Sequence, residues 1–79
     1  MKLLIRNLAR TTTEEELKHL FEPFGVVQSC VVVMDKVTGV SKGFGFVEMP
    51  KSGDAKAAIK SLNDQEIAGH KIRVKKADN

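Results

Sequence analysis

Apolar residues change their spacing several times along the 79-residue chain, and each change falls beside a signal that starts or stops a secondary-structure element. Spacings of three and four predict two amphipathic helices, one stopped by Pro23 and Gly25 and one that follows an N-cap at Ser52 and ends before Asn63. Alternating or β-branched stretches predict four strands, at about residues 2–7, 26–34, 42–49 and 71–76. The predicted order is therefore βαββαβ.

Local capping signals set the boundaries of the two predicted helices. Thr13 and Glu16 have the spacing of a capping box, and Gly25 follows the last apolar position of the first helix. We expect Ser52 to be the N-cap of the second helix, which ends before Asn63. Each helix thus has one apolar face that can lie against a sheet.

The βαββαβ order corresponds to the ferredoxin-like class of α+β folds. We expect a four-stranded antiparallel sheet with both helices on one face and the other face bare. A chain of this length forms one domain, residues 1–79, and a domain this small buries only about 60% of the surface of its unfolded chain. Function is therefore expected on an open face or in a loop.

Strand alternation assigns each residue of the sheet to one of its two faces. The residues expected to face the helices are Leu3, Ile5, Cys30, Val32, Val47, Met49, Ile72 and Val74. Those expected to face outward are Lys2, Leu4, Arg6, Ser29, Val31, Val33, Lys42, Phe44, Phe46, Glu48, Lys71, Arg73 and Lys75. A register shifted by one residue would bury Lys42 and Glu48 instead, which disfavours it.

The outward set joins two phenylalanines, Phe44 and Phe46, to six basic residues and one acid, Glu48. Bases of single-stranded nucleic acid stack on exposed rings with about 1–3 kcal/mol each, and cationic side chains meet the phosphates. The pattern therefore favours a surface for single-stranded nucleic acid.

Two segments give this chain a resemblance to a known family. KGFGFVEM at residues 42–49 matches the RNP1 signature of the RNA recognition motif, and LLIRNL at residues 3–8 resembles its RNP2 segment. The chain resembles this family over essentially its whole length, and small single-domain bacterial members in particular. The resemblance implies binding of single-stranded RNA, with Phe44 and Phe46 contacting sugar and base and Lys42 contacting phosphate or sugar.

Leu4 occupies the position that is aromatic in the family's RNP2 segment. Leucine offers an apolar platform but no π-face, so we expect weak, about micromolar, binding with low sequence specificity. The predicted RNA-binding residues are Phe44, Phe46, Leu4, Arg6, Lys42, Arg73, Lys75, Lys71 and Lys2. Two alternatives stay open: binding of single-stranded DNA, and contact with a protein through Leu4, Val31 and Val33.

Composition excludes several other functions. The net charge of +3 is by itself only weak support for an anionic partner. Cys30 is the single cysteine, so we expect a buried structural thiol, no intramolecular disulfide and a reducing, cytoplasmic location. His19 and His70 have no partners that would make a catalytic or metal site. We expect a monomer without a metal or other cofactor.

Two further classes are disfavoured by the first residues of the chain. The apolar run in MKLLIRNL is interrupted by Arg6 and is too short for a signal peptide or a membrane span. An acylphosphatase of the same topology would need a glycine-bearing anion cradle after the first strand, where this chain has Ala9, Arg10 and three threonines. We therefore expect a binding module rather than an enzyme.

Overall fold

The computed structural model describes residues 1–77. Its elements, in order, are β1 (Lys2–Arg6), α1 (Glu14–Phe21) with a 3₁₀ turn (Glu22–Phe24), β2 (Ser29–Met34), β3 (Ser41–Glu48), α2 (Ser52–Leu62), β4 (Glu66–Ile67), β5 (His70–Lys71) and β6 (Arg73–Lys76). The four longer strands form one antiparallel sheet in the order β2-β3-β1-β6. The predicted ferredoxin-like fold is confirmed, with one short hairpin, β4–β5, added before the last strand.

One hydrophobic core lies between the sheet and the two helices. Alternate residues of the strands, among them Leu3, Ile5 and Val47, are fully buried against Leu17 and Phe21 of α1. Small residues on α2 complete this core and bring that helix close to the sheet. The inward half of the predicted alternation is therefore confirmed, apart from Cys30, which is only half-buried.

The predicted capping box begins α1. The Thr13 hydroxyl accepts a hydrogen bond from the Glu16 amide at 3.1 Å, and the Glu16 carboxylate accepts one from the Thr13 amide at 3.0 Å. Both amides would otherwise lack an intrahelical partner. This local pairing fixes where α1 starts relative to β1.

One side chain from the helix layer caps a backbone amide on each edge strand of the sheet. The Glu14 carboxylate accepts a hydrogen bond from the Val32 amide at 3.1 Å on β2. On β6, the Asn63 side-chain oxygen accepts one from the Val74 amide at 3.0 Å. An edge strand with unpaired amides is a template for pairing with another chain, so these two contacts cap groups that would otherwise invite association.

Three predicted boundaries were wrong. The N-cap of α2 is Lys51 with no side-chain hydrogen bond, and Ser52 is instead the first residue of that helix. The second strand begins at Ser29 rather than residue 26. The last strand of the sheet begins at Arg73 rather than residue 71 because Lys71 pairs with Glu66 in the separate β4–β5 hairpin.

A bulge interrupts the pairing of β2 with β3. Val32 lies opposite Gly45, but Met34 lies opposite Ser41, so β3 has two more residues than β2 in this interval. Gly43 lies within it with φ of +82°, a conformation that favours glycine, and its carbonyl accepts a hydrogen bond from the Leu8 amide at 2.8 Å. Ser41 is buried, as the alternation of β3 requires, whereas Met34 has the same parity as buried Val32 on β2 and is 51% exposed. The bulge therefore breaks the alternation on β2.

Candidate nucleic-acid interface

The face of the sheet that lies away from the helices carries the candidate site. We call this surface the open face, and its side chains are Lys2, Leu4, Arg6, Ser29, Val31, Val33, Phe44, Phe46, Glu48, Arg73 and Lys75. Strand register arranges them in rows across the sheet. One row is Val31–Phe46–Leu4–Lys75, and the next is Phe44–Arg6–Arg73. Each phenylalanine therefore has a cation within its own row.

Phe44 and Phe46 form an edge-to-face pair in the middle of this surface. Their ring centroids are 6.2 Å apart and the ring planes are 86° from parallel, a favourable arrangement of the two π-systems. Both side chains are only partly buried. Gly45 separates them, and a Cβ at this position would overlap the carbonyl oxygen of Val31. Glycine there lets β2 and β3 approach closely under the two rings.

Lys2 contacts the same aromatic pair from β1. Its ammonium lies 4.6 Å from the centroid of the Phe46 ring, within the range of a cation–π interaction. Leu4 lies directly opposite Phe46 on the neighbouring strand. Leu4 and Phe46, with Phe44 and Arg6, border a shallow depression of about 280 Å³ between the two rings and β1. Three of these four side chains are apolar, and the fourth, Arg6, is a cation.

Basic residues occupy the part of the open face nearest β6. Arg6, Arg73 and Lys75 border a second shallow depression of about 300 Å³. Arg6 lines both depressions, so the cationic region is continuous with the aromatic one. Phosphates of a nucleic acid are bound by such groups through charge-assisted hydrogen bonds.

Two acids lie near cations of the open face, Glu48 opposite Lys2 and Asp64 beside Arg73. The Glu48 carboxylate accepts a hydrogen bond from the Ser29 hydroxyl at 3.1 Å, at the end of the open face opposite Arg6. Asp64, in the turn after α2, pairs with the Arg73 guanidinium at 3.3 Å. The sequence did not predict this pair, because no local pattern relates a turn residue to a strand nine positions later.

The structure brings seven of the nine predicted site residues together on the open face: Phe44, Phe46, Leu4, Arg6, Arg73, Lys75 and Lys2. Lys42 is exposed beside the bulge, outside the regular ladder of β3. Lys71 is exposed in the β4–β5 hairpin, and its carbonyl accepts a hydrogen bond from the Asn7 side chain at 2.8 Å. Lys71 was therefore wrongly placed on the main sheet.

Cys30 lies on the other side of the sheet, against the start of α1. Its Sγ is 3.4 Å from the Glu14 carbonyl oxygen. Burial, with a smaller effect of the Glu14 charge, raises the pKa of the Cys30 thiol to about 11. The thiol therefore stays protonated at neutral pH and is a poor nucleophile.

Neither a metal site nor a membrane-spanning helix is found in the part of the chain that the structure describes. Within residues 1–77, no three side chains of His, Cys, Asp or Glu are grouped so that they could hold a metal ion. Over the same residues, neither helix has the length and apolarity that crossing a bilayer requires.

Comparison with known proteins gives a family match over most of this chain. The model of the RNA recognition motif family matches residues 3–73. The chain is 41% identical over 78 residues to Glycine-rich RNA-binding protein 1 of Mycosarcoma maydis, covering 99% of this chain and 45% of that protein. The chain thus spans less than half the length of this relative.

Solved structures show the same fold. The crystal structure of RNA Binding Protein PG1 superposes with a TM-score of 0.95 at 45% identity and covers 98% of this chain and 93% of that chain. A SXL-lethal protein/RNA complex superposes with a TM-score of 0.94 at 31% identity, over 99% of this chain and 47% of that one. The family match covers β2, β3 and both helices in full, all of β1 except Lys2, and only Arg73 of β6. This chain therefore belongs to the RNA recognition motif family, whose members are binding domains rather than enzymes.

Proposed function

We propose that this chain binds single-stranded RNA on the open face of its sheet. The observation that carries the proposal is the pair of partly exposed rings, Phe44 and Phe46, on β3. The adjoining strand β1 presents Lys2 and Arg6, and β6 beyond it presents Lys75. A merely solvated sheet face gains nothing from two adjacent exposed rings, because exposed apolar surface is unfavourable in water. Flat bases offer the rings a partner of matching shape.

The strand register supports separate roles for the aromatic and the basic residues of this surface. Bases stack on Phe44 and Phe46, and Leu4 adds apolar contact beside Phe46. Arg6, Arg73 and Lys75, with Lys2 at the other end of β1, contact phosphates or sugars. Lys42 at the bulge and Lys71 in the hairpin extend the cationic border beyond the ladder. Phosphate contacts position the strand, whereas contacts to the bases carry any preference for sequence.

The proposed binding is weak and of low sequence specificity. Leu4 has no π-face, so the row Val31–Phe46–Leu4–Lys75 contains a single aromatic ring. Stacking on a ring is worth about 1–3 kcal/mol per base and tolerates every base. Two rings and a set of exposed cations therefore give a modest affinity that depends little on base identity.

Relatives and solved neighbours agree with this proposal. Glycine-rich RNA-binding protein 1 carries RNA binding in its name, and the SXL-lethal protein was solved as a complex with RNA. We extend to this chain only the binding of RNA. Single-stranded DNA also presents bases and phosphates, and the titration described below distinguishes it from RNA.

Protein binding is the second candidate function, favoured by one observation. Val31 is 48% exposed directly beside Phe46, and Leu4 lies on the other side of that ring. With Val33, these side chains form an apolar strip that a protein partner could cover. The cations that flank the strip favour nucleic acid over an apolar protein surface.

We also propose that the chain acts as a monomer in the reducing environment of the cytoplasm. The capping of the Val32 and Val74 amides by Glu14 and Asn63 supports the monomer, because a capped amide on each edge strand cannot pair with another chain. The protonated thiol of Cys30, with no second cysteine in the chain, suits a reducing compartment.

An NMR titration tests the proposed function. Amide shifts of the ¹⁵N-labelled protein are followed while a random-sequence single-stranded RNA octamer is added, and the matching DNA octamer is titrated in parallel. We expect the largest shifts in β1 and β3, around Leu4 and Phe46, and small shifts in α2. Shifts confined to the helices, or no shifts at millimolar RNA, would refute the assignment of the open face.

A further inference from the structure

Two arginines of the open face lie directly opposite each other. Arg6 on β1 and Arg73 on β6 are register partners, and like charges facing each other across antiparallel strands destabilise a sheet. Lys75, two residues beyond Arg73, completes the border of the depression of about 300 Å³. Three positive charges around one depression oppose folding unless an anion compensates them, and such local conflicts are typical of functional sites.

Asp64 supplies part of that compensation within the chain. Its carboxylate lies 3.3 Å from the Arg73 guanidinium, and the two side chains are 57% and 66% exposed. The Asp64 amide donates a hydrogen bond to the Ile72 carbonyl at 2.8 Å, which holds the turn beside β6. An ion pair this exposed contributes little to stability and is screened by salt. It is therefore easily exchanged for another anion.

We propose that the depression bordered by Arg6, Arg73 and Lys75 is the site of one phosphodiester of the bound strand, and that Asp64 is an internal counterion that this phosphate displaces from Arg73. The inference rests on the proposed function and deepens it. A phosphate can take two parallel hydrogen bonds from a guanidinium. The phosphate reaches the Arg73 guanidinium only by replacing this carboxylate. Asp64 therefore lowers the affinity for nucleic acid by competing for Arg73.

Asp64→Asn tests this directly. Asp64 has φ of +67°, and asparagine is among the residues that tolerate this left-handed conformation, so the turn is preserved. We expect the variant to bind a fluorescein-labelled random RNA octamer about two- to fivefold more tightly by anisotropy at 50 mM salt. Its affinity should also fall more steeply with salt, by up to about 0.7 in the logarithmic slope, since one more condensed counterion is released.

Glu15→Gln is the matched control. It makes the same change in net charge at an exposed position on α1, in the layer on the opposite side of the sheet. We expect its affinity to change by less than about 1.5-fold, because the charge is distant and screened. An equal gain in both variants would indicate a general charge effect and overturn the inference.

A double-mutant cycle localises the effect to the pair. In an Arg73→Gln background, Asp64→Asn should no longer tighten binding, and a gain that persists there would overturn the role of Arg73. Phe44→Ala with Phe46→Ala is measured alongside. Unchanged binding by that ring variant refutes the proposed function and this inference together, whereas ring-dependent binding with an inert Asp64→Asn refutes the inference alone.

Discussion

The ammonium of Lys2 lies 4.6 Å from the centroid of the Phe46 ring, although the two residues are on different strands and are not register partners. Phe46 lies opposite Leu4, and Lys2 lies opposite Glu48, so Lys2 reaches the ring diagonally across the β1–β3 pair. Diagonal neighbours in a sheet are within reach of long side chains. The contact connects the aromatic pair on β3 to β1, which carries Lys2 and Arg6.

Lys2→Gln should therefore destabilise the fold slightly. Loss of an exposed cation–π contact costs about 0.5–1 kcal/mol, which should appear as a lower midpoint of urea unfolding followed by circular dichroism. Lys56→Gln, an exposed lysine of α2, is the matched control and should leave the midpoint nearly unchanged. Equal midpoints for the two variants would show that the Lys2–Phe46 contact adds nothing to stability.

Removing the two rings should abolish binding without unfolding the protein. Phe44→Ala with Phe46→Ala loses stacking of about 1–3 kcal/mol per ring. The Kd of a micromolar complex then rises beyond the range that an anisotropy titration can measure. The two side chains lie on the open face outside the core, so the circular dichroism spectrum should keep its native form. Phe46→Leu is a sharper variant because it keeps apolar volume and removes only the π-face; native-like affinity for it would argue against stacking on this ring.

An aromatic residue at position 4 should strengthen binding. Leu4 faces Phe46 across the β1–β3 pair and borders the same depression. Leu4→Phe therefore adds a π-face on the proposed path of the bound RNA. We expect affinity to rise by roughly three- to thirtyfold, a share of the stacking energy of about 1–3 kcal/mol per base. Leu4→Ile changes the shape without adding a ring and should bind as the wild type does. Equal affinities of the three proteins would place the bound strand away from β1.

Salt should weaken binding to a moderate extent. Two to four phosphate contacts on a single strand, with a logarithmic slope of about −0.7 each, predict roughly five- to fiftyfold lower affinity at 200 mM than at 50 mM salt. Anisotropy titrations at four salt concentrations measure this slope. A slope near zero would leave the rings as the dominant contact and remove Arg6, Arg73 and Lys75 from the proposed interface.

Cys30 should react slowly with thiol reagents in the folded protein. Its pKa is raised from the ordinary value of 9.0 to about 11, so at pH 8 the reactive thiolate is about a hundredfold scarcer than in the unfolded chain. Alkylation by iodoacetamide, monitored by mass spectrometry in buffer and in urea, measures the ratio. Equal rates would mean that the contact with α1 does not protect the thiol.

The same shift sets a direction for stability against pH. A thiol whose folded pKa lies above its unfolded value favours the folded state while it is protonated. The full contribution of Cys30 is therefore present below about pH 9 and is lost as the pH rises toward 11. Cys30→Ala should make the unfolding midpoint less sensitive to pH in this window than that of the wild type.

The sequence alone determined the order of the elements and the identity of the two faces. Thr13 and Glu16 encode the start of α1 within four residues, and the alternation of Lys42 to Met49 places Phe44 and Phe46 on one face. Both features depend on near neighbours, since backbone periodicity and capping are local properties. The signature of residues 42–49 also identified the family from sequence.

Only the tertiary structure decided which of the predicted residues lie together. Lys71 leaves the sheet because it pairs with Glu66, and the bulge at Gly43 sets Lys42 beside the ladder rather than within it. The pairing of Asp64 with Arg73 and the capping of the Val32 amide by Glu14 join residues that are distant in sequence or on different elements. Register, bulges and contacts between a turn and a strand follow from which strands meet, and that depends on the packing of the whole core rather than on any local pattern.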